Sequence, residues 1–409
     1  VRRAALAGLL AALILGPGVA AGQTDAEATF RDGMRAPASV PGGRPIVLPG
    51  CRDCHGRDGA GGREGGTTAP PITRSALIRA TLARPAYDGA AFAAALRDGI
   101  GAGGRRLQGL MPRYPAGPEA ATALWDHLGR LEASERSGVE PDRLRLGVDA
   151  AAGPGLLAAL RAGLAEGTGD LRLHGRRVEI VPVRAGEVET GRLLALVFAT
   201  DLSLRRRDGG MPLLFPLAPL GEEVRPDEAR SAMPSRRDQA DLLLAAAAPG
   251  VPVLADGDGR ALLPGSLRRP LLDIDRLATA LPDEMIVLIA RDRWPGLLGM
   301  LRRGMRVHAI GPEIGDRMPA LARGGVRLVV TDPSAGPGLD AAQAPAERLG
   351  RAAASLLRAA LAAAGRDLTR GALLRAFDTL RLDGPDWPGL DYARHPRTGR
   401  RSAVLVTLE

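Results

Sequence analysis

The 409-residue sequence predicts a multidomain protein, with a small all-α domain followed by an α/β domain built on largely parallel sheet. Three observations predict it. Short helical patterns flank a Gly/Pro-rich stretch in the first third. A polar break, SERSGVEP at 134–141, follows it. Beyond the break, apolar runs of strand length alternate with helical patterns, as they do where strand–helix units stack into a parallel sheet. The expected boundaries are 1–21 for a removable leader, 22–135 for the helical domain, 136–142 for a linker and 143–409 for the α/β domain.

The leader comes first in the chain. Arg2 and Arg3 precede an apolar run, 4–15, that is too short to span a bilayer. Val19-Ala20-Ala21 supplies small residues at a cleavage position. This is the pattern of a secretory signal peptide, with an uncleaved N-terminal anchor as the alternative. It places the rest of the chain in the periplasm.

Composition narrows the partners. The net charge is +9, and every basic residue is Arg. The excess is spread along the chain rather than gathered into a basic face, which argues against nucleic-acid binding. Aromatic residues make up only 3% of the chain, so the cores must be built from Ala, Leu and Val.

In the helical domain, residues 90–98 (AAFAAALRD) read as an amphipathic helix, with Phe92 and Leu96 one turn apart. Residues 118–131 read as a closing helix that starts at Pro118, where a missing backbone N–H costs nothing. Ahead of both, Cys51-Arg52-Asp53-Cys54-His55 is a CxxCH motif that uses both cysteines of the chain. That motif is the attachment signature of a c-type haem. A zinc site needs more ligands than one Cys pair offers. A redox dithiol is read beside a βαβ pattern, which is missing here. The motif predicts one covalently attached haem c, with Cys51 and Cys54 as thioethers and His55 on the iron. The sixth ligand is expected to be a soft thioether or a second imidazole. Met111, in Leu110-Met111-Pro112, is the leading candidate, because the Pro presents it from irregular chain. Met34 is the weaker candidate, and His127 reads as a packing or surface residue. Gly99 to Gly104 satisfies GxGxxG, but it follows a helix and runs into Arg105-Arg106, so it reads as a loop rather than a dinucleotide site. Arg105, Arg106 and Arg113 are candidates for pairing with a haem propionate, against a default of solvated arginines.

The segments CRDCHGRDGAGG, YDGAAFAAALRDGI, LMPRY and ALWDHLGRL together resemble a class I monohaem c-type cytochrome. The resemblance implies a small helical fold around one haem, with His55 proximal and Met111 distal. It also implies one-electron transfer rather than catalysis, and a periplasmic redox partner such as a dehydrogenase or an oxidase.

In the α/β domain, strands are expected at 143–148, 177–183, 193–199, 211–217, 251–255, 285–290, 306–310, 326–331 and 403–408. Helices are expected at 154–165, 346–364 and 370–380, the last capped by Thr369. No GxSxG or HExxH pattern is present, and His174, His308 and His395 lie far apart. Asp256-Gly257-Asp258-Gly259 reads as a turn rather than a calcium loop. The opening VEPDRLRLGVDAAAGPG, the strand GRRVEIV, the segment MPLLFPL and the closing region from GRDLTR to YARHPRTGRR resemble type 1 periplasmic binding proteins of the branched-chain amino-acid group. That likeness implies a small solute held between two lobes and passed to a membrane permease of an ABC transporter. Residues 143–409 are short for two full lobes, and the span from Val181 to Met211 reads as lacking a strand–helix unit. Ser203, Ser231, Ser235 and Thr331 are candidate pocket groups that also suit turns and caps.

Together these readings predict a periplasmic electron carrier whose second domain docks a partner or senses a ligand. The alternative is a solute-binding protein for an amino acid or small carboxylate with an accessory haem domain. Neither is an enzyme.

Overall fold

The computed structural model describes residues 18–36, 45–64, 67–107, 110–165, 171–184, 192–206, 210–277, 280–333, 345–383, 387 and 389–409. The chain divides into two compact units, Val1–Ala133 and Ser134–Glu409. Most of the expected leader lies outside the described residues. Its last residues, from Gly18, open a helix. Among the described residues no helix is long and apolar enough to cross a membrane.

The first unit carries the helices α1 (Gly18–Asp32), α2 (Cys51–His55), α3 (Arg74–Leu77), α4 (Gly89–Asp98) and α5 (Pro118–Glu135). It is not all-α. Strand β1 (Met34–Ala36) pairs antiparallel with β2 (Ile46–Leu48), and β3 (Gly62–Glu64) pairs with β4 (Thr67–Ala69). Local chemistry sets the helix ends. Asp88 caps α4 by accepting from the Ala91 amide at 2.7 Å. Gly99 closes it in the left-handed region (φ 67°), where a Cβ would be strained. Phe92 and Leu96 of α4 pack with Leu124, Trp125 and Leu128 of α5 in one core.

The second unit holds two six-stranded sheets. The first contains β5 (Arg143–Asp149), β6 (Arg172–Leu173), β7 (Arg176–Val183), β8 (Ala195–Val197), β9 (Leu213–Leu214) and β10 (Ala229–Arg230). Its order is β10-β9-β8-β5-β7-β6, parallel except for β6. The second contains β11 (Val253–Ala255), β12 (Leu271–Asp273), β13 (Glu284–Leu288), β14 (Arg306–Ile310), β15 (Arg327–Asp332) and β18 (Val404–Leu408). Its order is β12-β11-β13-β14-β15-β18, with only the last strand antiparallel. A short ribbon, β16 (Arg381–Leu382) with β17 (Leu390–Asp391), precedes β18. The expectation that this segment is too short for two lobes is therefore corrected. Brief strands, two to eight residues long, economise on chain.

Strand patterning explains the layers. Leu144, Leu146 and Val148 of β5 turn one face toward α6 (Pro154–Ala165), α12 (Pro345–Ala364) and α13 (Arg370–Phe377). Leu196 and Leu213 face the opposite core. Helices α6 and α12 approach closely because glycines line the crossing: a Cβ on Gly163 would meet that of Ala354 at 2.7 Å, and one on Gly350 that of Ala159 at 2.4 Å. In the second sheet, Val253, Ile286 and Leu288 share a core with Ala240 and Leu243 of α7 (Arg236–Ala246) and Leu262 beyond α8 (Gly257–Ala261). Met285, Val287 and Val307 line the other face, with Trp294 and Leu297 of α9 (Trp294–Leu298) and Leu321 of α11 (Met318–Arg323). Short α10 (Gly311–Ile314) follows β14 directly. Strands buried on both faces become near-continuous runs of Val, Ile and Leu, as parallel sheet requires.

Among the described residues the chain passes between the sheets at 231–235 and at 392–403. Aromatic anchors brace the first passage. Tyr392 Oη donates to the Ser231 carbonyl at 2.9 Å, and Trp387 Nε1 to that of Ala232 at 2.9 Å.

Candidate ligand-binding sites

The first unit encloses a cavity of about 540 Å³, mostly apolar, and Cys51, Cys54, His55 and Met111 all line it. Four residues singled out in sequence are thus brought to one wall set. Helix α2 delivers three of them. Its start is held by the Asp53 carboxylate, which accepts from the Gly50 amide at 3.0 Å. Gly50 is a necessity of packing, since a Cβ there would lie 2.4 Å from the Arg31 carbonyl oxygen. His55 is oriented by its Nδ1, 2.7 Å from the Pro70 carbonyl oxygen. A carbonyl only accepts, so Nδ1 carries the proton and Nε2 keeps its lone pair. Burial lowers the basicity of that ring, with the Pro70 contact opposing it. Burial also pushes the Cys51 thiol up to about 11, so it stays protonated at neutral pH. Cys54 is exposed. On the opposite flank, Arg113 donates to the Met111 carbonyl at 2.6 Å, and Tyr114 Oη donates to that of Pro49 at 2.7 Å.

The remaining sequence candidates of this unit separate cleanly. Met34 packs against the core without lining the cavity. His127 is buried against the Phe30 ring at 5.3 Å, and burial lowers its pKa to about 4, as befits a packing residue. The GxGxxG segment is a loop closed by the Ile100–Arg106 bridge, and Arg105 alone of the three arginines lines the cavity.

The second unit carries its candidate site at the carboxyl ends of the strands. Parallel α/β sheets bind ligands at the point where the strand order reverses. In the first sheet that point lies between β5 and β8. Asp149 ends β5 there, and its Oδ2 accepts from both the amide and the hydroxyl of Thr200, at 2.8 and 2.7 Å. Its Oδ1 accepts from the Ala151 amide at 2.9 Å. In the second sheet the reversal lies between β11 and β13. Asp256 follows β11, and its two oxygens accept from the Gly259 and Ala290 amides, each at 2.7 Å. Each sheet therefore places a buried aspartate at its reversal point, tying together the loops on either side. Asp256 also caps α8, so the DGDG stretch is a helix start. Among the described residues no group of three or more His, Cys, Asp or Glu is placed to hold a metal ion.

Beside Asp256, the Glu313 carboxylate of α10 is buried against the Arg236 guanidinium. Burial pushes Glu313 up to about 7, with Asp256 and Asp258 adding to the rise and Arg236 opposing it. Sequence reading missed Asp149, Thr200, Arg236 and Glu313. Of its own candidates, Ser203 closes a turn on Asp201, Ser235 caps α7, and Thr331 donates to Gln239 Oε1 at 2.7 Å in the core. Ser231 braces the first passage between the sheets.

No family model matches the chain, and no curated protein does. Solved structures do. The chain is similar to a fatty acid ABC transporter substrate-binding protein from Thermomonospora curvata (15% identity, 66% of this chain and 90% of that one, TM-score 0.48). It is similar to the branched-chain amino acid transporter substrate-binding protein LivJ from Streptococcus pneumoniae in complex with isoleucine (11% identity, 65% and 100%, TM-score 0.44). It is also similar to an ABC transporter solute-binding protein from Rhodopseudomonas palustris in complex with 3,4-dihydroxy benzoic acid (14% identity, 60% and 88%, TM-score 0.41).

The expectation of a haem c is corrected by these findings. The similar solved proteins are described as substrate-binding proteins, and among the described residues no group of three or more His, Cys, Asp or Glu is placed to hold a metal ion. The redox partner expected from the haem goes with it.

Proposed function

We propose that this chain is a periplasmic solute-binding protein that takes a small organic solute, an amino acid or small carboxylate, at the carboxyl ends of its two sheets and presents it to a membrane permease of an ABC transporter. The observation that carries this reading is the matched pair of reversal points, with Asp149 and Thr200 in one sheet and Asp256 and the Ala290 amide in the other. The chain passages between the sheets at 231–235 and 392–403 allow the two edges to open and close on a solute, the hinge geometry of two-lobed binding proteins. In this reading residues 1–21 are the export signal, 22–135 an accessory domain, 136–142 a linker and 143–409 the solute-binding domain. Cys51, Cys54, His55 and Met111 are the polar and soft contacts of a second, largely apolar ligand in the accessory domain.

The test is thermal-shift screening of the full chain against amino acids and small carboxylates, repeated with Thr200→Val. Saturable stabilisation by at least one compound, weakened in the variant, is the expected result. No stabilisation across the panel refutes the solute reading.

A further inference from the structure

A second cavity, of about 490 Å³, lies where the β16–β17 ribbon meets the chain leading into β18. Four arginines line it, Arg381, Arg394, Arg400 and Arg401, against two carboxylates, Asp383 and Asp391. The carboxylates do not neutralise the wall. Asp391 Oδ2 lies 3.3 Å from Arg381 Nε and 3.8 Å from Arg394 Nε, so one anion serves two cations. Arg401 bonds Asp238 outside the cavity at 2.8 Å. Arg400 is the decisive residue. It is only 8% exposed, which is unusual for a cation without a close carboxylate. Among the described residues its Nη1 and Nη2 reach the Pro333 carbonyl at 3.2 Å and the Ser402 hydroxyl at 3.4 Å. Its Nε is buried and has no hydrogen-bond partner among the described residues. Burial lowers the pKa of that guanidinium, with Asp332 opposing. A buried guanidinium with an unsatisfied N–H is costly unless something completes it.

We propose that this cavity is a binding site for a small multivalent oxyanion, a di- or tricarboxylate or a phosphate. Guanidinium forks match the paired oxygens of both groups, and several convergent forks favour a ligand carrying more than one negative charge. The cavity lining includes none of Asp149, Thr200, Asp256 and Ala290, the residues assigned to the solute. The cavity sits on the passage at 392–403 between the two sheets, so an anion held there ties the ribbon to that passage.

The test is isothermal titration of the full chain with citrate, succinate and inorganic phosphate, with sodium chloride at matched ionic strength as the control. At least one of the three is expected to bind saturably with one site. Citrate or succinate alone assigns a carboxylate ligand, and phosphate alone assigns a phosphate ligand. The double variant R381Q/R394Q, whose side chains are largely exposed and outside the core, is expected to weaken binding by about tenfold or more. Asp383→Asn removes a repelling charge and is expected to tighten it. Thr200→Val is expected to leave it unchanged, which separates this site from the solute site. Heat of binding that sodium chloride reproduces, or an affinity that neither arginine nor aspartate variant moves, overturns the proposal.

Discussion

Asp149 Oδ2 accepts from both the amide and the hydroxyl of Thr200, at 2.8 and 2.7 Å, across the point where the first sheet reverses its strand order. The two donors are not equivalent. Thr200→Val keeps the shape and the amide bond but loses the hydroxyl, and is expected to cost about 1 kcal/mol. Asp149→Ala strands the Thr200 and Ala151 amides together and is expected to cost about 3 kcal/mol. Urea denaturation of both variants checks the order. Equal costs would show that the carboxylate does not hold the two loops.

The Glu313–Arg236 pair makes stability depend on pH in a defined direction. The folded carboxyl is raised to about 7 from an ordinary value near 4.5, so the native state holds a proton that the unfolded chain releases. Its contribution is full below about 4.5 and is lost as pH rises through about 7. Denaturation midpoints measured from pH 5 to 8 are expected to carry this downward component, and Glu313→Gln to remove it. An unchanged slope in the variant would exclude Glu313 as its source.

The two cysteines are expected to react unequally. Cys54 is exposed, while burial holds the Cys51 thiol near 11. Iodoacetamide at pH 8 should label Cys54 first, because the thiolate is the nucleophile. A peptide carrying Cys51 and Cys54, taken from the protein made in its own host, is expected to have the mass of the sequence with two free thiols. A mass excess on that peptide would show a group covalently attached to the two cysteines.

Gly350 offers a test of packing against propensity. In an exposed helix, Gly→Ala gains about 1 kcal/mol. Here the added Cβ would sit 2.4 Å from that of Ala159, in the crossing of α6 and α12. Overpacking of this kind costs about 1–3 kcal/mol, so Gly350→Ala is expected to be net destabilising. A rise in melting temperature would show that the two helices part freely.

Much of the second unit was legible in its sequence, because buried parallel strands announce themselves. The expected runs at 143–148, 306–310 and 326–331 match β5, β14 and β15 to within a residue. The helices at 154–165 and 346–364 match α6 and α12 as closely. Two-residue β10, Ala229–Arg230, carries no such run and was invisible. Helix α7 was missed although its signal was present: Ser235 and Asp238 form a capping box three residues apart. The ribbons of the first unit escaped because each strand is three residues long, too short for alternation to show. The cavity residues of that unit were legible as a chemical motif, and their convergence follows from helix α2 and the loop at Met111. The aspartates at the reversal points were not, since an Asp after a strand looks like any turn residue until the strand order is known.

The last strand has a consequence for biosynthesis. β18 pairs antiparallel with β15, which ends more than seventy residues earlier, with α12, α13 and the ribbon in between. The second sheet therefore keeps an unpaired edge while the whole intervening segment is made. An unpaired edge of this kind invites mispairing with other chains. Under the proposed function, export as an unfolded chain would postpone that exposure until β18 has arrived on the same side of the membrane as β15.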